Sequence, residues 1–351
     1  MTLKQTLIAR KTMKKRIEWI DLLKGFAILM VVLSHCLYGD NMSGFLRTLC
    51  LWLFSFYMQL FFSVSGYFFS YKKTYDYSAV IKKRFRSLMI PYFFWGILVG
   101  LSVSYIPNIL RGNYPDFGKL LYRITTFQES SSAGWFLQVL FFIYLLEYGL
   151  CAAGSKYSLV RNKAVLSFLH LLMAFSAVFL SDKPIGNFMR LSRILKYSLY
   201  FYLGNQINRI IHPESKPTIQ TLFYSVLLLS VSFLTYLLQS DHSLFSQIIE
   251  ILISVSGIFG LYYFFQWISY SSFKNSIPAK VLSSFGFNSI TVLCTHQLLI
   301  IIIHKVEHLI GLYQNETYPL FLTFLLVLLM EIPLVTYHFH LFELSLGKGH
   351  E

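Results

Sequence analysis

The stretch "WIDLLKGFAILMVVLSH", residues 19–35, places three ionisable side chains in an otherwise apolar run. At about 100° per residue, Lys24 and His35 lie close to three full turns apart on a helix, within roughly 20° of each other. Asp21 falls in the same arc, one turn before Lys24. The rise from Lys24 to His35 is about 16 Å. Polar groups on one face of a membrane helix point into the bundle or into a wet cavity. A second stretch, "SSFGFNSITVLCTHQLLI", residues 283–300, lies in a run that starts near Lys280 and sets His296 about 24 Å along it, the depth of His35 some 16 residues past Trp19, with Ser289 two turns earlier on nearly the same face. A histidine in an apolar site is a general base or a transient acyl carrier. Two at one level suggest a shared polar chamber.

Blander roles compete with these. Lys24 is near enough to the inner surface to snorkel, and Asp21 to pair with it or cap the helix. Each histidine could simply bond a neighbouring helix. Glu147 and Glu331 also fall deep in apolar runs, where a carboxyl is costly and is paired or functional. Trp135 opens an apolar run, as an interfacial anchor or an acceptor-side group.

The elements that carry these residues are membrane helices. The chain has 351 residues, is 55% hydrophobic and only 13% charged, and its mean hydropathy is +0.56. Apolar runs long enough to cross a bilayer recur along it. Ten spans are expected, at about 17–38, 46–70, 86–106, 135–153, 164–181, 191–211, 218–239, 245–269, 281–304 and 317–340. The sixth is the most polar, with Arg193, Lys196, Asn205 and Gln206. The fold class is thus all-α, a polytopic membrane helix bundle of about ten transmembrane helices.

Of the 30 basic residues, about two thirds fall on one side if the N-terminus is cytoplasmic, which puts both termini inside. Residues 1–16 then form a basic cytoplasmic segment, 17–340 the membrane domain and 341–351 a cytoplasmic tail. No cleavable leader pattern precedes residue 17, so the first helix is expected to stay in the mature protein. The net charge of +14 belongs to this topology rather than to nucleic acid, since no basic patch sits in a soluble module. The four cysteines show neither metal nor disulfide spacing, and no metal is expected. The longest outer loop, about 107–134, is a candidate lid. No internal repeat of the transporter kind is visible.

The first stretch resembles the opening helix of the acyltransferase-3 family of bacterial membrane O-acyltransferases, whose mark is a basic residue, ten intervening residues and a histidine. Lys24 and His35 match it, with lysine where arginine is commoner, as in the fucose 4-O-acetylase-like branch. "FFSVSGYFF" (61–69) resembles the family's Ser-Gly-Tyr motif. "KKRFRSLMIPYFFW" (82–95) resembles its basic loop before a Pro-Tyr helix start. "GWFLQVLFF" (134–142) and "SFGFNSITVLCTH" (284–296) resemble its Trp-Phe-Leu and Gly-x-x-Ser…His segments. Leu293 stands where a tyrosine is common.

The resemblance implies a bacterial cytoplasmic (inner) membrane enzyme that moves an acyl group, by family habit acetyl, from cytoplasmic acetyl-CoA to a hydroxyl of an extracytoplasmic glycan. It implies His35 as the catalytic residue, with His296 or Ser289 as its companion. Lys24, Asp21, Arg84, Arg86, Ser65, Gly66 and Tyr67 become donor-site candidates, and Glu147, Trp135 and Glu331 structural or acceptor-side candidates. The competing readings are a transporter or flippase of a glycan or lipid-linked precursor, and a purely structural membrane subunit. The sequence is silent on oligomeric state.

Overall fold

The computed structural model describes residues 17–37, 44–72, 74–102, 117–127, 134–181, 183–239, 244–311 and 320–336. Every regular element among them is helical. In chain order the principal helices are α1 (Glu18–Cys36), α2 (Gly44–Phe54), α3 (Tyr57–Tyr67), α4 (Tyr77–Arg84), α5 (Ile90–Gly100), α6 (Phe117–Thr125) and α7 (Gly134–Lys156). They continue with α8 (Lys163–Leu180), α9 (Leu191–Ile210), α10 (Ile219–Leu237), α11 (Leu244–Ile268), α12 (Ile277–Phe287), α13 (Ser289–Leu309) and α14 (Leu320–Thr336).

Seven segments are long and apolar enough to cross a membrane: Glu18–Cys36, Gly44–Tyr67, Gly134–Lys156, Lys163–Leu180, Ile219–Leu237, Ser246–Ile268 and Ser289–Leu309. The other three expected spans are also helical. α5 has 11 described residues and α14 has 17. α9 has 20 but carries polar groups along its length. The expected terminal segments 1–16 and 341–351 lie outside the described residues, as do 103–106 of the expected third span and 107–116 and 128–133 of the expected lid.

The surface suits lipid. On α8, Phe168, Leu172 and Phe179 are exposed along one stripe, while His170 and Ala174 face inward. On α10 the apolar Phe223, Leu227 and Leu234 are exposed and Ser225 and Ser232 are buried. Both serines are satisfied. Ser225 donates to the Gly260 carbonyl at 3.0 Å. Ser232 donates to the Ile253 carbonyl and accepts from Trp52 Nε1 at 2.9 Å. With lipid outside, no hydrophobic force drives one helix onto another, so packing and interhelical hydrogen bonds hold the bundle.

Small residues permit that packing at two crossings. A Cβ on Gly25 would stand 1.9 Å from the Leu282 carbonyl oxygen, and one on Gly286 would stand 1.8 Å from that of Asp21. These glycines press α1 against α12. Gly66 and Gly204 do the same for α3 and α9, at 1.7 Å and 1.8 Å from Phe201 and Ser63 carbonyl oxygens.

Three boundaries differ from the sequence expectation, each for a local reason. The second span is broken at Ser55–Phe56, where Ser55 Oγ takes the Trp52 carbonyl at 2.7 Å and Gln59 Nε2 takes that of Ser55 at 2.8 Å. Side chains there compete for main-chain acceptors. The basic segment expected as a loop before Pro91 is helical. Asp76 caps α4 by accepting from Ala79 N at 3.0 Å, and the chain runs through a wide π turn, Phe85–Met89, into α5. The wide turn contains Ser87, whose carbonyl the Pro91 ring would crowd in a regular helix. The ninth span begins at Ile277, with Ser276 as cap and Pro278 in the first turn. It is then interrupted at Asn288, whose amide donates to the carbonyls of Ser284 and Val335 at 3.2 Å and 3.3 Å.

Candidate active site

His35 ends the apolar run of α1, one residue before its last, and His296 sits in the first half of α13. The structure brings them together. Their ring centroids are 5.3 Å apart with planes inclined at 36°. His296 is fully buried. Its Nδ1 is 2.7 Å from the Val292 carbonyl. Only an N–H can serve that oxygen, so Nδ1 carries the proton and the neutral ring leaves a lone pair on Nε2. Nε2 is buried and has no hydrogen-bond partner among the described residues.

Neighbouring groups frame the pair. Ser34 Oγ bonds the Val31 carbonyl at 2.8 Å and lies 3.3 Å from the Tyr57 hydroxyl. On the other side of His296, Thr295 Oγ1 is 2.6 Å from Glu331 Oε1. Glu331 is fully buried, and its second oxygen is unpartnered among the described residues. Ser289 is buried at the start of α13. Two turns, or about 10 Å of rise, separate it from His296, so of the two companions expected for His35 the structure places His296 beside it.

The donor-site candidates gather toward the other end of the bundle. Asp21 and Lys24 form an ion pair at 3.6 Å, on the α1 segment that packs against Gly286. Arg84 lies with its guanidinium 3.8 Å over the Tyr144 ring and bonds the Tyr148 hydroxyl. Ser65 reaches the same Tyr144 hydroxyl and donates to the Phe61 carbonyl at 3.0 Å. Tyrosines of α7 thus tie Arg84 to Ser65. Arg86 is exposed. Gly66 sits in the α3–α9 crossing, and Tyr67 donates to the Ile211 carbonyl at 2.8 Å, beyond the end of α9.

Glu147 has partners that the sequence did not name. His170 Nε2 is 2.9 Å from its Oε1, and both side chains are fully buried. Tyr71 donates to Oε2. Burial and the adjacent Glu147 push the Tyr71 phenol well above its usual range, so it stays a donor. Tyr202 stacks on His170 with centroids 4.4 Å apart. A histidine amid "VLSFLHLLMAF" was the available signal for this network.

Trp135 lies inside the bundle, 5.6 Å from the Tyr197 ring, with the Arg193 guanidinium 4.8 Å over its face. Among the described residues, no three His, Cys, Asp or Glu side chains cluster as they would around a metal ion.

A family model described as an acyltransferase domain, that of the acyltransferase-3 family, matches residues 17–338. The chain belongs to the acyltransferase-3 family. The match begins one residue before α1 and runs two past α14, so it takes in both histidine helices and every candidate residue above. Neither curated proteins nor solved structures gave a match. Membership makes the chain a multi-pass membrane acyltransferase.

Proposed function

We propose that the protein transfers an acyl group, acetyl by family habit, from cytoplasmic acyl-CoA to a hydroxyl of an extracytoplasmic carbohydrate, in a bacterial cytoplasmic membrane. One observation carries this reading: a buried histidine nitrogen with a lone pair and no partner, 5.3 Å ring to ring from the motif histidine of another helix. Such a nitrogen is an unspent base in a buried site.

The chemistry follows from that base. The donor's nucleotide end is anionic and meets Lys24 and the basic α4 segment on the cytoplasmic side. Its narrow pantetheine arm runs up α1 over the rise of about 16 Å to the histidines. The acceptor hydroxyl enters from the other side. As its oxygen attacks the thioester carbon, its proton passes to the histidine pair. The new C–O bond forms and the C–S bond breaks. The leaving thiolate takes the proton and departs as free CoA thiol. His35 is the base or its immediate relay, and His296 completes the pair.

The test is envelope-glycan O-acetylation in a deletion strain complemented with wild type or with His35→Ala. Membrane levels are checked by blot. Wild type restores ester, and the variant, equally abundant, does not. Equal restoration by both would remove His35 from the chemistry. Lys24→Ala raises the apparent KM for acetyl-CoA more than it lowers kcat, and an unchanged KM would count against a donor role. A flippase would move glycan without consuming donor, so acyl-CoA-dependent labelling separates that class.

A further inference from the structure

A cavity of about 880 Å3 opens between α8, α9 and α11, at the end of α9 that the distribution of basic residues puts outside. α8 contributes mostly apolar wall. α9 and α11 contribute Arg193, Lys196, Tyr197, Tyr200, Gln247 and Glu250. This arrangement explains why α9 is too polar to read as an ordinary span: its cations face a cavity.

The charges are specific. Lys196 Nζ lies 2.7 Å and 2.9 Å from the two carboxylate oxygens of Glu250. That pair is neutral together. Arg193 is the remaining charged group of the lining, exposed, with its guanidinium carbon 4.8 Å from the centre of the Trp135 ring. A guanidinium held over an aromatic ring still has five N–H donors, which match a carboxylate or a phosphate. The sequence adds a second observation. Lys183, Arg190, Arg193 and Lys196 crowd one short stretch on the side where membrane proteins carry fewer basic residues. A topologically disfavoured cluster of cations calls for an anion.

A relay of side chains leads from the cavity toward His35. Tyr197 lines it and stacks on Phe62 at 4.5 Å. The Tyr57 phenol lies within electrostatic reach of Tyr197, and Tyr57 bonds Ser34, the neighbour of His35.

We infer that this cavity binds the acceptor, and that the acceptor is a saccharide bearing one acidic group, a carboxylate or a phosphate. The word acceptor rests on the acyl-transfer reading above; the binding itself needs no donor. The acid pairs with Arg193. The sugar ring packs against the part of Tyr197 that lines the cavity. Its hydroxyls bond the spare donor of Lys196, the remaining lone pairs of Glu250 and the Gln247 amide.

The test is calorimetric titration of the full-length protein in nanodiscs without acyl-CoA. The probes are glucuronate, glucose 6-phosphate, glucose and inorganic phosphate. At least one acidic sugar binds about tenfold or more tighter than glucose, and the tighter of the two identifies the acid. Arg193→Ala removes that advantage without lowering the Tm, and Arg193→Lys restores part of it. Three results would each overturn the inference: no binding of either acidic sugar, equal binding of glucose, or a preference that survives Arg193→Ala. Inorganic phosphate binding as tightly as glucose 6-phosphate would also overturn it, because the site would then recognise no sugar. Acetyl-CoA is added last. Selective, Arg193-dependent binding with no ester formed would leave the cavity standing and sink the acyl-transfer reading.

Discussion

His170 and His296 are the same side chain in nearly the same local setting, and the bundle uses them in opposite ways. Each is fully buried in a helix. Each has Nδ1 at 2.7 Å from the carbonyl four residues back, Leu166 for one and Val292 for the other. They differ at Nε2. That of His170 meets Glu147 at 2.9 Å, and Glu147 is in turn held by Tyr71. That of His296 meets no partner among the described residues. A buried polar network with every member satisfied rigidifies a structure. A buried nitrogen left bare costs stability and is kept where chemistry uses it. His170 is thus spent on cohesion, while His296 keeps a free nitrogen, which the proposed mechanism uses.

Three substitutions would break or sharpen that contrast. His296→Gln, close in volume, lowers acyl transfer by about 10²–10⁴-fold, the range of a lost general base. The protein should still accumulate in the membrane with little change in Tm. If transfer survives, the bare nitrogen is idle and the contrast collapses. Glu147→Ala does the reverse. It strands the His170 nitrogen and the Tyr71 hydroxyl inside the bundle and lowers stability by about 3–5 kcal/mol. Thermal unfolding in detergent measures this, and transfer per folded molecule should stay near wild type. A stable Glu147→Ala protein with lost transfer would move the network into the chemistry. Tyr71→Phe is the mildest. It removes one donor to Glu147 and leaves a single buried oxygen short of a partner, for about 1–3 kcal/mol. A null effect on Tm would mean that water replaces the phenol.

Much of the outer site was legible because it depends on distance along helices, which a sequence counts directly. His35 and His296 share a level since both lie about 24 Å along runs from the same side, and the ring contact follows. The partner of Glu147 was not legible, because it depends on how α7 and α8 are rotated. Helices apolar nearly all round carry no periodic stripe to report rotation. The breaks at Ser55 and Asn288 were hidden for a related reason. A polar residue in an apolar run signals a competing hydrogen bond only once the receiving carbonyl is in place. Arg193 and Lys196 were visible as polarity in a weak span. Their cavity needs α8 and α11 beside α9, and a linear reading does not assemble three helices.

The contact between α1 and α12 has a reach well beyond its own atoms. Gly25 lies ten residues before His35, and Gly286 ten residues before His296. The two arms are equal at about 15 Å, although the second bends at Asn288. The glycine crossing thus acts as a pivot, and the spacing of the two imidazoles is a lever's far end. A single methyl group at the pivot would remove no reactive atom and still spread the rings. The gap between the imidazoles is gauged by two missing side chains one pivot-length away.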